Sequence, residues 1–121
     1  MKTDSIFENA RNREILSDIK NAAKDIIGER LVEIILYGSC ARGASERDSD
    51  MDIMILIDET EEDIKKLDEQ FSKVMFDLSL KYDMLISIFL KSDAQFKKYL
   101  DVLPFYMNVR KEGITVYGRQ D

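Results

Sequence analysis

Histidine is absent from this chain, and that gap excludes a large share of familiar chemistry. Without imidazole there is no Ser-His-Asp or Cys-His arrangement and no His-ligated zinc. Any catalysis must rest on carboxylates, hydroxyls, backbone amides and bound metal. Cysteine occurs once, as Cys40, which rules out an internal disulfide framework and suits a reducing compartment. Proline also occurs once and glycine five times, too few for a linker-like stretch that would divide the chain. No run of about eighteen uninterrupted apolar residues is present to span a membrane. The N-terminal MKTDSIFENARNRE is charged and lacks the apolar block of a signal peptide. A cytoplasmic location is therefore expected. A long basic tract is missing too, and the net charge is −6. General nucleic-acid binders show a basic face because phosphate neutralisation supplies most of their affinity, so that role is not expected.

What remains is an ordinary globular balance: 121 residues, 45% apolar and 35% charged. The length suits one domain over 1–121. Ile15, Ile19, Ala22, Ala23 and Ile26 recur at helical spacing, and Gly28 follows as a stop signal, predicting a helix from about Ser5 to Ile27. Leu31 to Tyr37 (LVEIILY) reads as a mostly buried strand that Gly38 and Ser39 break. Asp50 to Asp58 (DMDIMILID) reads as a second. Side chains alternate across a strand, so Asp50, Asp52, Met54 and Leu56 share one face and Met51, Ile53, Ile55 and Ile57 the other.

Thr60 and the acidic residues after it cap a strong helix, whose apolar stripe runs from Ile64 through Leu67, Phe71, Val74, Met75 and Leu78 to Tyr82. Met84 to Leu90 (MLISIFL) is a third strand. Ser92 caps a further helix, interrupted near Pro104 and restarted over Phe105 to Lys111. Gly113 ends it, and Ile114 to Tyr117 forms a last short strand. The order predicts an α+β domain of α/β type, with a mixed sheet of about four strands packed with helices.

The chemistry concentrates between Tyr37 and Ile57, in YGSCARGASERDSDMDIMILI. A Gly-Ser pair after a buried strand frees backbone N–H groups at a tight bend. If Ala41 to Ala44 opens a short helix, those amides make an anion site. Ser39 adds a hydroxyl donor and Arg42 a fixed positive charge suited to phosphate. Taken alone, the pair is also what an ordinary strand-to-helix turn looks like. Asp50 and Asp52, two residues apart on a strand, lie roughly 6.5 Å apart at Cα and point the same way. Such carboxylates repel unless a cation sits between them. Magnesium prefers a few carboxylates plus phosphate oxygens and waters, which this pair leaves room for. Gly-Ser, ten residues, then Asp-x-Asp arises by chance on the order of one in a thousand times in a chain this size. A phosphate cradle facing a carboxylate pair is the apparatus of phosphoryl or nucleotidyl transfer.

The stretch resembles the G-S-x10-D-x-D signature of the DNA polymerase beta nucleotidyltransferase superfamily. More narrowly it is similar to the minimal nucleotidyltransferases, short prokaryotic proteins often paired with a HEPN-domain partner. The matching residues are Gly38, Ser39, Arg42, Gly43, Ser49, Asp50 and Asp52, and the resemblance covers nearly the whole chain, including the tail PFYMNVRKEGITVYG. It implies a polymerase-beta-like fold and a triphosphate, of ATP or another nucleotide, held at Gly38, Ser39, Arg42 and Ser49. It implies Mg2+ at Asp50 and Asp52. It further implies transfer of AMP from ATP to a tyrosine of a HEPN toxin, the chain acting as antitoxin.

Full members of that superfamily bring a third carboxylate from a neighbouring strand. The aligned position in MLISIFL holds Ser87, and Asp83 shares its face by alternation but lies roughly 13 Å away along an extended strand. Either Asp83 reaches the site or the third acid is missing; the spacing favours the second. A slow or partner-assisted enzyme then competes with a partner-binding antitoxin module whose nucleotide site is vestigial. Cys40 has no activating histidine and is not expected to act as nucleophile. Phe96, Tyr99, Leu103, Phe105, Tyr106 and Tyr117 are read as core and partner surface rather than as a base-stacking platform. Self-association is left open.

Overall fold

The computed structural model describes residues 9–38 and 50–120. The expected helix from Ser5 begins outside the described residues; within them, α1 (Ala10–Ile27) starts where the Asn9 carboxamide accepts the amide of Asn12 at 3.1 Å. It buries Ile15, Leu16, Ile19 and Ala23 and stops at Gly28, whose φ of 69° a residue with a side chain rarely adopts. A 3-10 turn, Gly28–Arg30, leads into β1 (Leu31–Tyr37). The other strands are β2 (Met51–Ile57), β3 (Ile86–Ser92) and β4 (Ile114–Gly118).

The four strands form one mixed sheet in the order β3-β2-β1-β4. β1 runs antiparallel to both β2 and β4, whereas β2 and β3 are parallel. A parallel pair needs a crossover, and here two helices supply it: α2 (Glu61–Lys65) and α3 (Asp68–Tyr82). The sequence pattern predicts one helix over this span. Instead the amides of Lys66 and Leu67 reach back three residues, to Asp63 and Ile64, and the four-residue ladder resumes only with Phe71 bonding to Leu67. The apolar stripe survives the break, because Ile64 and Phe71 stay buried with Leu67, Val74 and Met75 packed beside them.

β3 also starts two residues later than MLISIFL implies. Asp83 ends α3 in a left-handed conformation, φ 51°, and the Ser79 hydroxyl accepts the amide of Ile86 at 3.1 Å. Met84 and Leu85 are thereby spent on the turn. As expected, Ser92 caps the next helix, α4 (Asp93–Lys98), accepting the amide of Gln95 at 3.3 Å. Pro104 occupies the first turn of α5 (Pro104–Glu112), where its missing N–H costs nothing.

The sheet separates two apolar layers, and strand alternation assigns the residues to each. Ile34, Leu36, Met51, Ile53, Ile55, Ile57, Ile86 and Ile88 pack with Ile15, Leu16, Ile19 and Ala23 of α1 and Phe71 of α3. On the other face Ile35, Met54 and Leu56 pack with Phe96 of α4 and Tyr106 and Val109 of α5. The predicted division of β2 therefore holds, and Asp52 belongs to the α4–α5 face. Among the described residues, no helix is long and apolar enough to cross a membrane.

Candidate active site

β1 ends at Tyr37, and the chain bends at Gly38 with φ 81°. Register pairs Tyr37 with Asp52 across the β1–β2 ladder. The approach is close: a Cβ placed on Gly38 would lie 2.7 Å from Asp52 Oδ2. Bare backbone therefore meets a carboxylate, and only glycine leaves room for it. Asp50 stands exposed immediately before β2, while Asp52 is half-buried. The bend and the aspartate that the sequence separates by more than ten residues thus face one another.

The electrostatics are those of crowded negative charge. Burial first, then the neighbouring Asp50 charge, raises the proton affinity of Asp52. Burial and the charge of Asp52 likewise push the Tyr37 phenol above its ordinary range. Desolvated, like-charged carboxylates are costly unless a cation neutralises them. The donor set is all oxygen, which suits a hard divalent cation that keeps part of its shell for phosphate and water. By that test Asp50 and Asp52 fit magnesium.

On the opposite side of β2, register places Ser87 of β3 directly beside Asp52. No carboxylate occupies that place. Asp83 does not continue the face of β3, because it belongs to the end of α3, three residues before the strand begins. It lines a groove of about 420 Å3 with Asp50, Phe76, Ser79, Leu80, Met84 and Leu85. Among the described residues no cluster of three or more carboxylate or cysteine side chains is arranged to hold a metal. Ser39, Cys40, Arg42, Gly43 and Ser49 lie outside the described residues.

A nucleotidyltransferase domain model matches residues 16–113, which takes in the bend, the aspartates and all of β2 and β3. The chain belongs to the nucleotidyltransferase domain family. Within it, the chain is 32% identical over 102 residues to a candidate protein adenylyltransferase of Methanocaldococcus jannaschii, MJ0604, covering 84% of this chain and 94% of that protein. A second candidate protein adenylyltransferase of the same organism, MJ0141, is 38% identical over 74 residues, covering 61% of this chain and 73% of that one. The fold of this nucleotidyltransferase resembles a chain in the structure of a tri-AMPylated Shewanella oneidensis HEPN toxin in complex with an MNT antitoxin. The TM-score there is 0.54 at 19% identity, covering 89% of this chain and 73% of the other.

One feature of the candidate site escaped the sequence pattern. The Tyr37 ring packs edge-on to Phe105 of α5, with centroids 5.7 Å apart, and Phe105 stacks on Phe89 of β3 at 6.2 Å. Three elements thus bring aromatic rings to the Asp52 face. The available signals were the position of Tyr37 just before Gly-Ser and the parity that Phe89 shares with Ser87.

Proposed function

We propose that this nucleotidyltransferase moves AMP from ATP onto a protein hydroxyl, in a magnesium-dependent reaction, and that the acceptor is a tyrosine of a HEPN-domain toxin for which the chain is the antitoxin. The approach of Gly38 to Asp52 carries the reading, since it joins the bend after β1 to a carboxylate that fits a metal. The names of the M. jannaschii relatives and of the Shewanella complex support the protein acceptor.

Asp50 and Asp52 would hold magnesium, which when bound neutralises phosphate charge and polarises the α-phosphorus. The chain's own contribution is positioning. Gly38 lets the triphosphate approach the backbone, and Ser39, Arg42 and Ser49 are the proposed further phosphate partners. The acceptor oxygen attacks the α-phosphorus as the bond to the bridging oxygen breaks, and pyrophosphate departs. The acceptor proton must also leave. With Ser87 beside Asp52, no β3 carboxylate takes it. A phenol releases its proton far more readily than an aliphatic hydroxyl, so this deficit favours tyrosine as acceptor and predicts slow turnover.

The same serine supports a second reading, in which the chain binds nucleotide and covers its toxin without transfer. Incubation with ATP, magnesium and the product of the adjacent reading frame, followed by mass spectrometry, separates the two. AMP added by the wild type and lost in Asp50→Ala and Asp52→Ala establishes transfer. Neutralisation that persists in both variants with no added mass establishes the binding module.

A further inference from the structure

Between the end of β1 and α5 lies a hollow of about 260 Å3 lined by Tyr37, Gly38, Phe105, Asn108, Val109 and Glu112. We infer that it is the adenine subsite of the nucleotide site, an assignment that rests on the proposed nucleotide reading and adds the element that reads the base. Gly38 contributes to the hollow and also abuts Asp52, so a single residue borders both the hollow and the carboxylate. A base seated there stays within one nucleotide's length of the phosphate bend.

The lining has the chemistry of base recognition. Phe105, Asn108, Val109 and Glu112 follow one another at i, i+3, i+4 and i+7, so α5 turns a single stripe toward the hollow. Phe105 is 44% exposed, a large apolar ring left half open beside a polar centre. Its contacts with Tyr37 and Phe89 fix the ring's orientation, which lowers the ordering cost of a stacking partner. Every base has a π-face, so stacking alone does not choose among them.

Asn108 makes the choice. A carboxamide pairs with adenine through the N6 amine and N7, whereas guanine offers acceptors at O6 and N7. Glu112, also in the lining, accepts only and could take an amine from either purine, so the discrimination rests on Asn108. The volume falls below the roughly 300–1,000 Å3 of pockets that enclose drug-sized ligands and suits one base with part of its sugar. The aromatic residues of this region are thus divided in role: Phe96 and Tyr106 are buried core, while Phe105 faces the ligand.

The test is a titration of the whole chain with ATP, GTP and inorganic tripolyphosphate, each with magnesium. Phe105→Ala should weaken ATP about ten-fold or more and leave tripolyphosphate unchanged, because only the base stacks. The chain has no tryptophan, so Phe105→Trp makes a single reporter. That variant should keep ATP affinity, and ATP but not tripolyphosphate should quench its fluorescence. Asn108→Ala should narrow the preference for ATP over GTP. Unchanged ATP affinity in Phe105→Ala overturns the subsite while leaving the phosphate site standing. Equal loss of ATP and tripolyphosphate does the same, since it shows Phe105 acting through the bend. A wild type that binds neither ligand refutes the phosphate site, and the subsite falls with it.

Discussion

Gly38→Ala tests the site's central geometry, and Gly28→Ala is its control. Both glycines have positive φ, 81° and 69°. A methyl group at either place costs about 1–3 kcal/mol of backbone strain. For a chain of this length that lowers Tm by roughly 3–6 °C per kcal/mol. The surroundings differ. At Gly28 nothing lies within 4 Å of the added methyl, whereas at Gly38 it would sit 2.7 Å from Asp52 Oδ2. Ordinary contact begins near 3.4 Å, so the carboxylate or the bend must move by about 0.7 Å. A 1 Å displacement of a catalytic group costs on the order of a hundred-fold in rate, which places the expected loss at roughly ten- to a hundred-fold. Thermal melts should then show both variants destabilised, while magnesium-ATP titration and AMP transfer single out Gly38→Ala. If the two variants retain equal activity, the Gly38–Asp52 approach is no part of the site.

Four further experiments probe other parts of the structure. Burial acts to raise the Glu33 pKa, but the two-pronged bond from Arg110, at 2.9 and 3.0 Å, and the Thr115 hydroxyl at 2.8 Å outweigh it and hold it below the ordinary value for a glutamate. A depressed carboxylate contributes stability that is complete above its unfolded pKa and lost as pH falls through the folded one. Urea midpoints from pH 6 to 3 should therefore decline less steeply for Glu33→Gln; parallel curves would contradict the assignment. Ser87→Asp places an acid beside Asp52 and should raise the AMP-transfer rate about ten-fold or more, and a slower variant would show that the acceptor needs no base there. Phe71→Ala, 1% exposed, should cost about 3–5 kcal/mol in urea unfolding. Phe76→Ala on the same helix, 64% exposed, should stay within about 0.5 kcal/mol of wild type.

Much of the site was legible because it depends on local rules. Strand alternation alone put Asp52 on the face of Met54 and Leu56, and both pack against α4 and α5. Thr60 and Ser92 cap their helices as their hydroxyls imply, the interruption expected near Pro104 holds with Pro104 opening α5, and Gly113 ends that helix, since such signals involve only the next few residues. Boundaries were less legible. The apolar run MLISIFL gave no sign that Met84 and Leu85 belong to the turn after α3. The left-handed Asp83 and the hydroxyl of Ser79 decide that. Nor did the continuous stripe from Ile64 to Tyr82 reveal the break at Lys66, because a one-turn change in bonding leaves the buried face intact.

By itself the sequence singled out the residues proposed to carry the chemistry: histidine is excluded, and Gly38, Asp50 and Asp52 stand at the ends of apolar runs whose period fixes their faces. Only the tertiary structure decided what each of them meets. The pairing of Tyr37 with Asp52, the placing of Ser87 where an acid was sought, and the gathering of Tyr37, Phe89 and Phe105 all join residues far apart in the chain. Strand register answers to the packing of both sheet faces at once, and no local pattern contains that information.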